Sequence, residues 1–176
     1  MSAALPIPVL ETERLRLRGW RLDDHAPFSE FLASEATAAF VGGACGPDDA
    51  WRRLAGQLGH WALRGYGSWA IEEKATGRWV GYGGLWFPHG WPEPELMRGL
   101  AANAHGRGYA TEAARRAREF AYRQLGWRTL VSCIAPANLP SQRVASRLGA
   151  VHERDIELRG LPAGLYRHPG PEALHS

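Results

Sequence analysis

His105-Gly106-Arg107-Gly108-Tyr109-Ala110-Thr111-Glu112 joins a segment of strand character, Glu95 to Ala101, to one of helical character, Tyr109 to Leu125. Two glycines around an arginine let the backbone turn tightly and approach a ligand closely, since neither carries a Cβ. The helix that follows leaves its first N–H groups unpaired and presents the positive end of its dipole, which makes the turn a cradle for phosphate. Taken alone, the stretch says no more than that. No Gly-Lys-Ser/Thr follows, so it is not a Walker loop. Thr111 stands where a dinucleotide fingerprint has its third glycine or alanine.

The flanking segments supply the frame. Leu10 to Trp20, with its Leu15-Arg16-Leu17-Arg18 alternation, reads as a half-buried strand. Asp23 and Asp24 open a short helix carrying Phe28, Phe31 and Leu32 on one face, and Pro47 opens a second with Trp51, Leu54, Leu58 and Trp61 at helical spacing. Ser68 to Glu73 and Arg78 to Phe87 form a hairpin around Lys74 to Gly77. The prolines of Pro88 to Pro94 make a loop before the strand at Glu95. In the long helix Ala110, Ala113, Ala114, Ala117, Phe120, Ala121 and Leu125 share one stripe, and Gly126 ends it. Thr129 to Ala135 is apolar enough for a central strand, Asn138 caps a helix that runs through Leu148 to Gly149, and strands follow at Val151 to Arg159 and Leu161 to Arg167. His168 to Ser176 is expected to fray. Strands interleaved with helices indicate one mixed α/β domain over residues 1–167.

Bulk composition narrows the function classes. At 176 residues, 45% of them apolar, the chain can bury one sizeable core. Met1 to Pro6 has neither the basic start nor the apolar run of a signal peptide, and no stretch is long enough to span a bilayer, so a soluble cytoplasmic protein without a membrane partner is expected. A net charge of +3, with basic residues scattered among acids, argues against general nucleic-acid binding despite a pI near 9.2. Cys45 and Cys133 lack metal-ligand or disulfide spacing, so free thiols and no metal are expected.

Two motifs in order make the glycine turn specific: Gly106-Arg107-Gly108-Tyr109-Ala110-Thr111-Glu112-Ala113, and Asn138-Leu139-Pro140-Ser141 leading to Leu148-Gly149. With Leu10 to Arg18 upstream, they resemble the GNAT superfamily of acyl-CoA N-acyltransferases, nearest to its Rim-type branch of ribosomal-protein N-terminal acetyltransferases. The resemblance implies a central, largely antiparallel sheet that splays between its fourth and fifth strands and is flanked by helices. It implies acetyl-CoA as co-substrate, with the pyrophosphate on the backbone of Arg107, Gly108, Tyr109, Ala110 and Thr111. The pantetheine arm would add as a strand along Arg98-Gly99-Leu100, an N–H near Gly99 or Leu100 would polarise the thioester carbonyl, and Asn138 would reach the arm.

The implied reaction is direct attack by a primary amine, either a protein N-terminus or a small molecule. Such an amine is mostly protonated at neutral pH, so a base is needed; Glu95 is the candidate and Glu93 the runner-up. Many relatives carry a tyrosine where this chain has Ala145, which leaves Ser141 as candidate acid for the leaving thiol. Arg107, Arg143 and Arg147 are the candidates for the 3′-phosphate. Trp20, Trp69 and Trp79 read as core, and Trp61, Trp86 and Trp91 as walls of an acceptor pocket; His105 reads as a loop residue. A non-catalytic acyl-CoA sensor and a ribosome- or RNA-associated protein are the rival readings. The oligomeric state stays open, with a homodimer as one option.

Overall fold

The computed structural model describes residues 5–175; the first four residues of the expected domain, which are four of the six in the Met1 to Pro6 segment, and Ser176 of the expected tail lie outside the described residues. The strands are β1 (Leu10–Glu11), β2 (Leu15–Arg18), β3 (Ser68–Glu73), β4 (Trp79–Trp86), β5 (Glu95–Leu100), β6 (Val131–Ile134), β7 (Val151–Leu158) and β8 (Leu161–Arg167). The helices are α1 (His25–Ala33), α2 (Glu35–Ala38), α3 (Pro47–Arg64), α4 (Tyr109–Arg123) and α5 (Leu139–Arg147). All eight strands form one sheet in the order β1-β2-β3-β4-β5-β6-β8-β7, antiparallel except for β5 and β6. The expected single strand from Leu10 to Trp20 is instead a small hairpin. Thr12 turns the chain by bonding Leu15 through both backbone and hydroxyl, and the extra strand makes the two that splay, at Glu95 and at Val131, the fifth and sixth in chain order.

Strand alternation divides the apolar residues between two faces. Leu15, Leu17, Trp69, Ile71, Val80, Leu85 and Leu96 lie under the alanine stripe and Phe120 of α4. Ala70 and Tyr82, with Met97 beside them, lie under Phe28, Phe31 and Leu32 of α1 and Leu54 of α3. Alanines at the helix–sheet contact let α4 come close. The fully buried Trp69 ring then fills the space between Phe120 and Trp61, each edge-on to it.

Among the described residues, 168–175 pack back on the domain instead of extending from it. His168 is 2% exposed, Tyr122 donates to the Pro169 carbonyl at 2.7 Å, and a 3₁₀ turn over Pro171–His175 brings Leu174 against the core. His168 is the anchor of this segment. Ser132 Oγ donates to the Leu96 carbonyl at 2.8 Å and lies 2.9 Å from His168 Nε2, which assigns the imidazole proton to Nε2. Nδ1 faces Arg118 Nη1 at 3.4 Å, and Arg118, with no carboxylate at ion-pair distance among the described residues, spends its strong bond on the Leu148 carbonyl at the end of α5.

Burial, with Arg118 beyond it, lowers the His168 pKa from 6.5 to about 3. As the pH falls through that interval the unfolded chain takes up a proton that the folded chain refuses. Stability is therefore fully present above about 6.5 and lost below it, by at most about 1.4 kcal/mol per pH unit. Urea unfolding across mildly acidic pH should show His168→Gln with a flatter slope than the wild type; parallel slopes would rule out this imidazole as the source.

Candidate active site

Gly108, with φ 78°, is the N-cap of α4, and Gly106, with φ 73°, is likewise left-handed, so the turn uses glycine where another residue would be strained. The first N–H to find a helical partner is that of Glu112, on the Gly108 carbonyl at 3.1 Å. The N–H groups from Arg107 to Thr111 have no protein partner among the described residues, and the buried Thr111 hydroxyl has none either. A concave run of unpaired donors with an orphaned hydroxyl at the positive end of a 15-residue helix fits a pyrophosphate.

The turn is held from outside. Arg14 Nη1 donates to the Arg107 carbonyl at 2.8 Å, its Nη2 pairs with Glu112 at 2.6 Å, and Thr12 donates to the same carboxylate. The Tyr109 ring lies between the Arg14 and Arg107 guanidinium groups, each 4.6 Å from its centroid. The Tyr109 hydroxyl and Arg107 converge on Glu73; that hydroxyl first, then Thr76, holds the carboxylate below its usual range. Arg107 is thereby committed to Glu73 rather than to a 3′-phosphate. A cleft of about 420 Å³ opens beside Gly108 and Thr111 between Arg14, Arg115 and Arg147. Arg147 lines this cleft, Arg143 lies in a separate groove between α5 and the β7–β8 hairpin, and Arg115, read from sequence as solvated helix face, lines the cleft as well.

Beside the turn the sheet opens into a fork. Parallel pairing of β5 with β6 is confined to Glu95 and Val131, beyond which the two strands part. Ladder parity decides which groups face the opening. The Ala101 N–H bonds the Val80 carbonyl in β4 register, so Gly99 and Met97 spend their backbone groups on β4, while those of Arg98 and Leu100 point into the fork. This corrects the expectation for Gly99: its N–H belongs to the ladder with Tyr82, and of the two candidates only Leu100 presents an N–H to the open edge. Gly99 matters through its absent side chain, because a Cβ there would come within 2.7 Å of Tyr82 and 3.0 Å of Phe31. His105 has a partner after all, the Leu100 carbonyl at 2.9 Å, which ties the wide end of the fork to the glycine turn.

Glu95 closes the narrow end. It is 8% exposed; one carboxylate oxygen accepts from Trp91 Nε1 at 2.7 Å and the other from the Cys133 N–H at 3.0 Å. The side chain thus replaces a rung that the parting strands lost. Burial raises its pKa, although both hydrogen bonds and Arg98 pull the other way. Burial, with Glu95 and Glu93 nearby, likewise pushes the Cys133 thiol to about 12, so it stays a neutral wall. Glu93 is taken: Arg167 grips both its oxygens at 2.6 and 2.9 Å and lowers its pKa.

From the opposite face of β5, Arg98 reaches α5 and donates through Nη2 to the Ser141 carbonyl at 2.7 Å and hydroxyl at 2.8 Å. Asn138 Oδ1 caps α5 by accepting from the Ser141 N–H at 3.2 Å. The structure brings Glu95, Arg98, Leu100 and Ser141 around one opening, with the Arg107 to Thr111 turn tied to its wide end through His105 and with Asn138 one contact away as the cap of α5. Of the tryptophans, Trp61 belongs to the core at 4% exposure, bonded to the Ser68 carbonyl, and is no pocket wall. Trp86 stacks on His60 with centroids 4.6 Å apart, and Trp91 holds Glu95. Among the described residues no helix is long and apolar enough to cross a membrane.

Residues 14–151 match the sequence model of the family described as the acetyltransferase (GNAT) domain. The Bacillus subtilis (strain 168) protein YkkB is 31% identical over 108 residues, a match that spans 58% of this chain and 62% of YkkB. An acetyltransferase from Agrobacterium tumefaciens superposes with a TM-score of 0.85 at 32% identity, over 96% of this chain and 98% of that one. Mycobacterium smegmatis RimJ, solved with CoA-disulfide, shares the fold at a TM-score of 0.73 and 18% identity, over 92% of this chain and 84% of that one.

Proposed function

This chain belongs to the GNAT acetyltransferase family, and on that premise we propose that it moves an acetyl group from acetyl-CoA to a primary amine, a protein N-terminus or a small molecule, in a ternary complex. The observation that carries the proposal is the fork with its unpaired edge beside the unpaired first turn of α4. The N–H groups of Arg107, Gly108, Tyr109, Ala110 and Thr111, with the Thr111 hydroxyl, hold the pyrophosphate. Arg115 and Arg147 take the 3′-phosphate. The open edge of Arg98 and Leu100 hydrogen-bonds the pantetheine arm as an added strand, and Asn138 meets it from α5.

With the phosphates at the wide end, the reactive end of the arm lies toward the apex. There the Arg98 N–H polarises the thioester carbonyl and Glu95 takes the proton of the attacking amine, directly or through one water. The acceptor enters from the face that carries Trp86, Trp91 and Met97, because Glu95 and Met97 share that side of β5.

Acetyl-CoA titration of Gly108→Trp tests the cradle. The indole would occupy the space above the turn, and affinity is expected to fall by about 100-fold or more, since several charge-assisted bonds to the phosphates are lost together. Gly108→Ala separates strain from obstruction, because it carries the left-handed penalty without filling the site. Equal affinity of wild type and Gly108→Trp would sink the assignment.

A further inference from the structure

We propose that the Arg98 guanidinium, gripped by Ser141 at the mouth of the fork, is the cation that carries the leaving thiolate. The proposal rests on the acyl-CoA reading above and adds a role that neither the glycine turn nor Glu95 supplies.

Among the described residues Arg98 and Arg118 are sheltered arginines that lack a carboxylate partner, and Arg118 is spent on the Leu148 carbonyl and His168. Arg18 is paired with Asp24 and Glu72, and Arg167 with Glu93 and Glu153. Among the described residues Arg98 has no carboxylate within ion-pair distance; Ser141 alone holds it, through Nη2, and its Nε and Nη1 have no protein partner. Burial without a counter-charge lowers its pKa to about 10, with Glu95 compensating only through space. A half-buried cation with spare donors is stabilised by whatever anion reaches it.

Position says which anion that is. Leu100 and the His105 bond mark the wide end of the fork, and the Glu95–Val131 pair marks the apex. Arg98 lies about 7 Å from Leu100 along the strand and about 10 Å from Glu95, by the rise per residue. An arm bound by its phosphates at α4 therefore brings its sulfur past Arg98 before the apex. Strand alternation sends the Glu95 side chain to one face and Arg98 to the other, so the base and the cation bracket the thioester.

The step balances with these groups alone. The amine nitrogen bonds to the carbonyl carbon, its proton passes to the Glu95 carboxylate, and the C–S bond breaks with its electron pair moving onto sulfur. The thiolate leaves as an anion against the guanidinium. The Ser141 hydroxyl accepts a bond from Arg98, so its own proton remains free to donate to the same sulfur. Anchoring by Ser141 also fixes a side chain that would otherwise lose rotamer freedom at the moment of reaction.

The test reads the thiol of bound CoA. In the binary complex of wild type with CoA, the thiolate absorbance is expected to titrate at least about one pH unit lower than in Arg98→Met, a tenfold difference in ionisation. Arg98→Lys should recover most of that shift. On the amine that the wild type acetylates fastest, kcat of Arg98→Met should fall about 10²–10³-fold while affinity for CoA changes little. Ser141→Ala, which removes the hydroxyl but keeps the carbonyl bond to Nη2, should move the thiol part of the way up, and it serves if Arg98→Met does not fold. Identical thiol titrations in wild type and variants overturn the proposal, as does a loss confined to CoA affinity. A wild type that binds no CoA overturns the acyl-CoA reading itself, which the same titration shows first.

Discussion

Glu95→Gln is expected to lower kcat about 10²–10⁴-fold, the range that a positioned general base contributes, with acetyl-CoA affinity little changed. The amide is nearly isosteric but cannot accept the amine proton. In the wild type the carboxylate must be ionised, and burial raises its pKa. Activity should therefore fall as the pH drops through a point above the ordinary carboxylate range, and the variant should lose that acid limb. Glutamine also disturbs the brace. Its one carbonyl can accept from Trp91 or from Cys133 but not from both, so some melting temperature will be lost. Turnover per folded molecule at a temperature well below melting separates the two effects. A variant that keeps the wild-type rate and pH profile would leave Glu95 as a brace only.

What could be read in the sequence was what depends on neighbours along the chain. The Gly106–Gly108 turn, the Asn138 cap and the Gly126 and Gly149 helix ends are local stereochemistry, and each has the conformation its residues demand. The fork itself was legible only through family resemblance. No local pattern says that β5 and β6 will part after one rung, because parting is a property of two strands 36 residues apart in register. The Glu95 brace to Cys133 and the Arg98 grip on Ser141 join residues 38 and 43 apart, and single letters carried no sign of either. Trp61 reads as a pocket wall but lies in the core for a related reason: helical spacing shows which residues share a face, not whether that face meets the core or a cleft. The two prolines after Arg167 read as a loose tail, whereas His168 is held by Ser132 and Arg118 from two other elements.

Replacing Arg18 is expected to be the costliest change away from the fork. Its guanidinium, 6% exposed, donates twice to Asp24 at 2.9 Å and once to Glu72 at 2.8 Å, with all three side chains sheltered. Whether this ion cluster stabilises the fold relative to an apolar one is a separate question, since desolvation offsets most of the attraction. Removing only the cation leaves Asp24 buried without a counter-charge and Glu72 with Arg16 alone, at 3.2 Å, and Arg18→Met should cost about 3–5 kcal/mol, a large part of the total stability of a domain this size. At about 2–4 °C per kcal/mol, melting should drop by about 6–20 °C. The triple replacement Arg18→Met, Asp24→Asn, Glu72→Gln should recover part of the loss, because no unpaired charge remains buried; equal melting of the single and triple variants would show that packing rather than charge is at stake. The cluster also reaches the site. Asp24 accepts the Arg21 N–H at 2.8 Å and leads directly into α1, whose Phe31 lies over Gly99 on the face from which the acceptor approaches. Conditions that keep Arg18→Met folded should therefore weaken acceptor KM before acetyl-CoA affinity, since the cradle at α4 is braced separately by Arg14, Glu112 and Glu73.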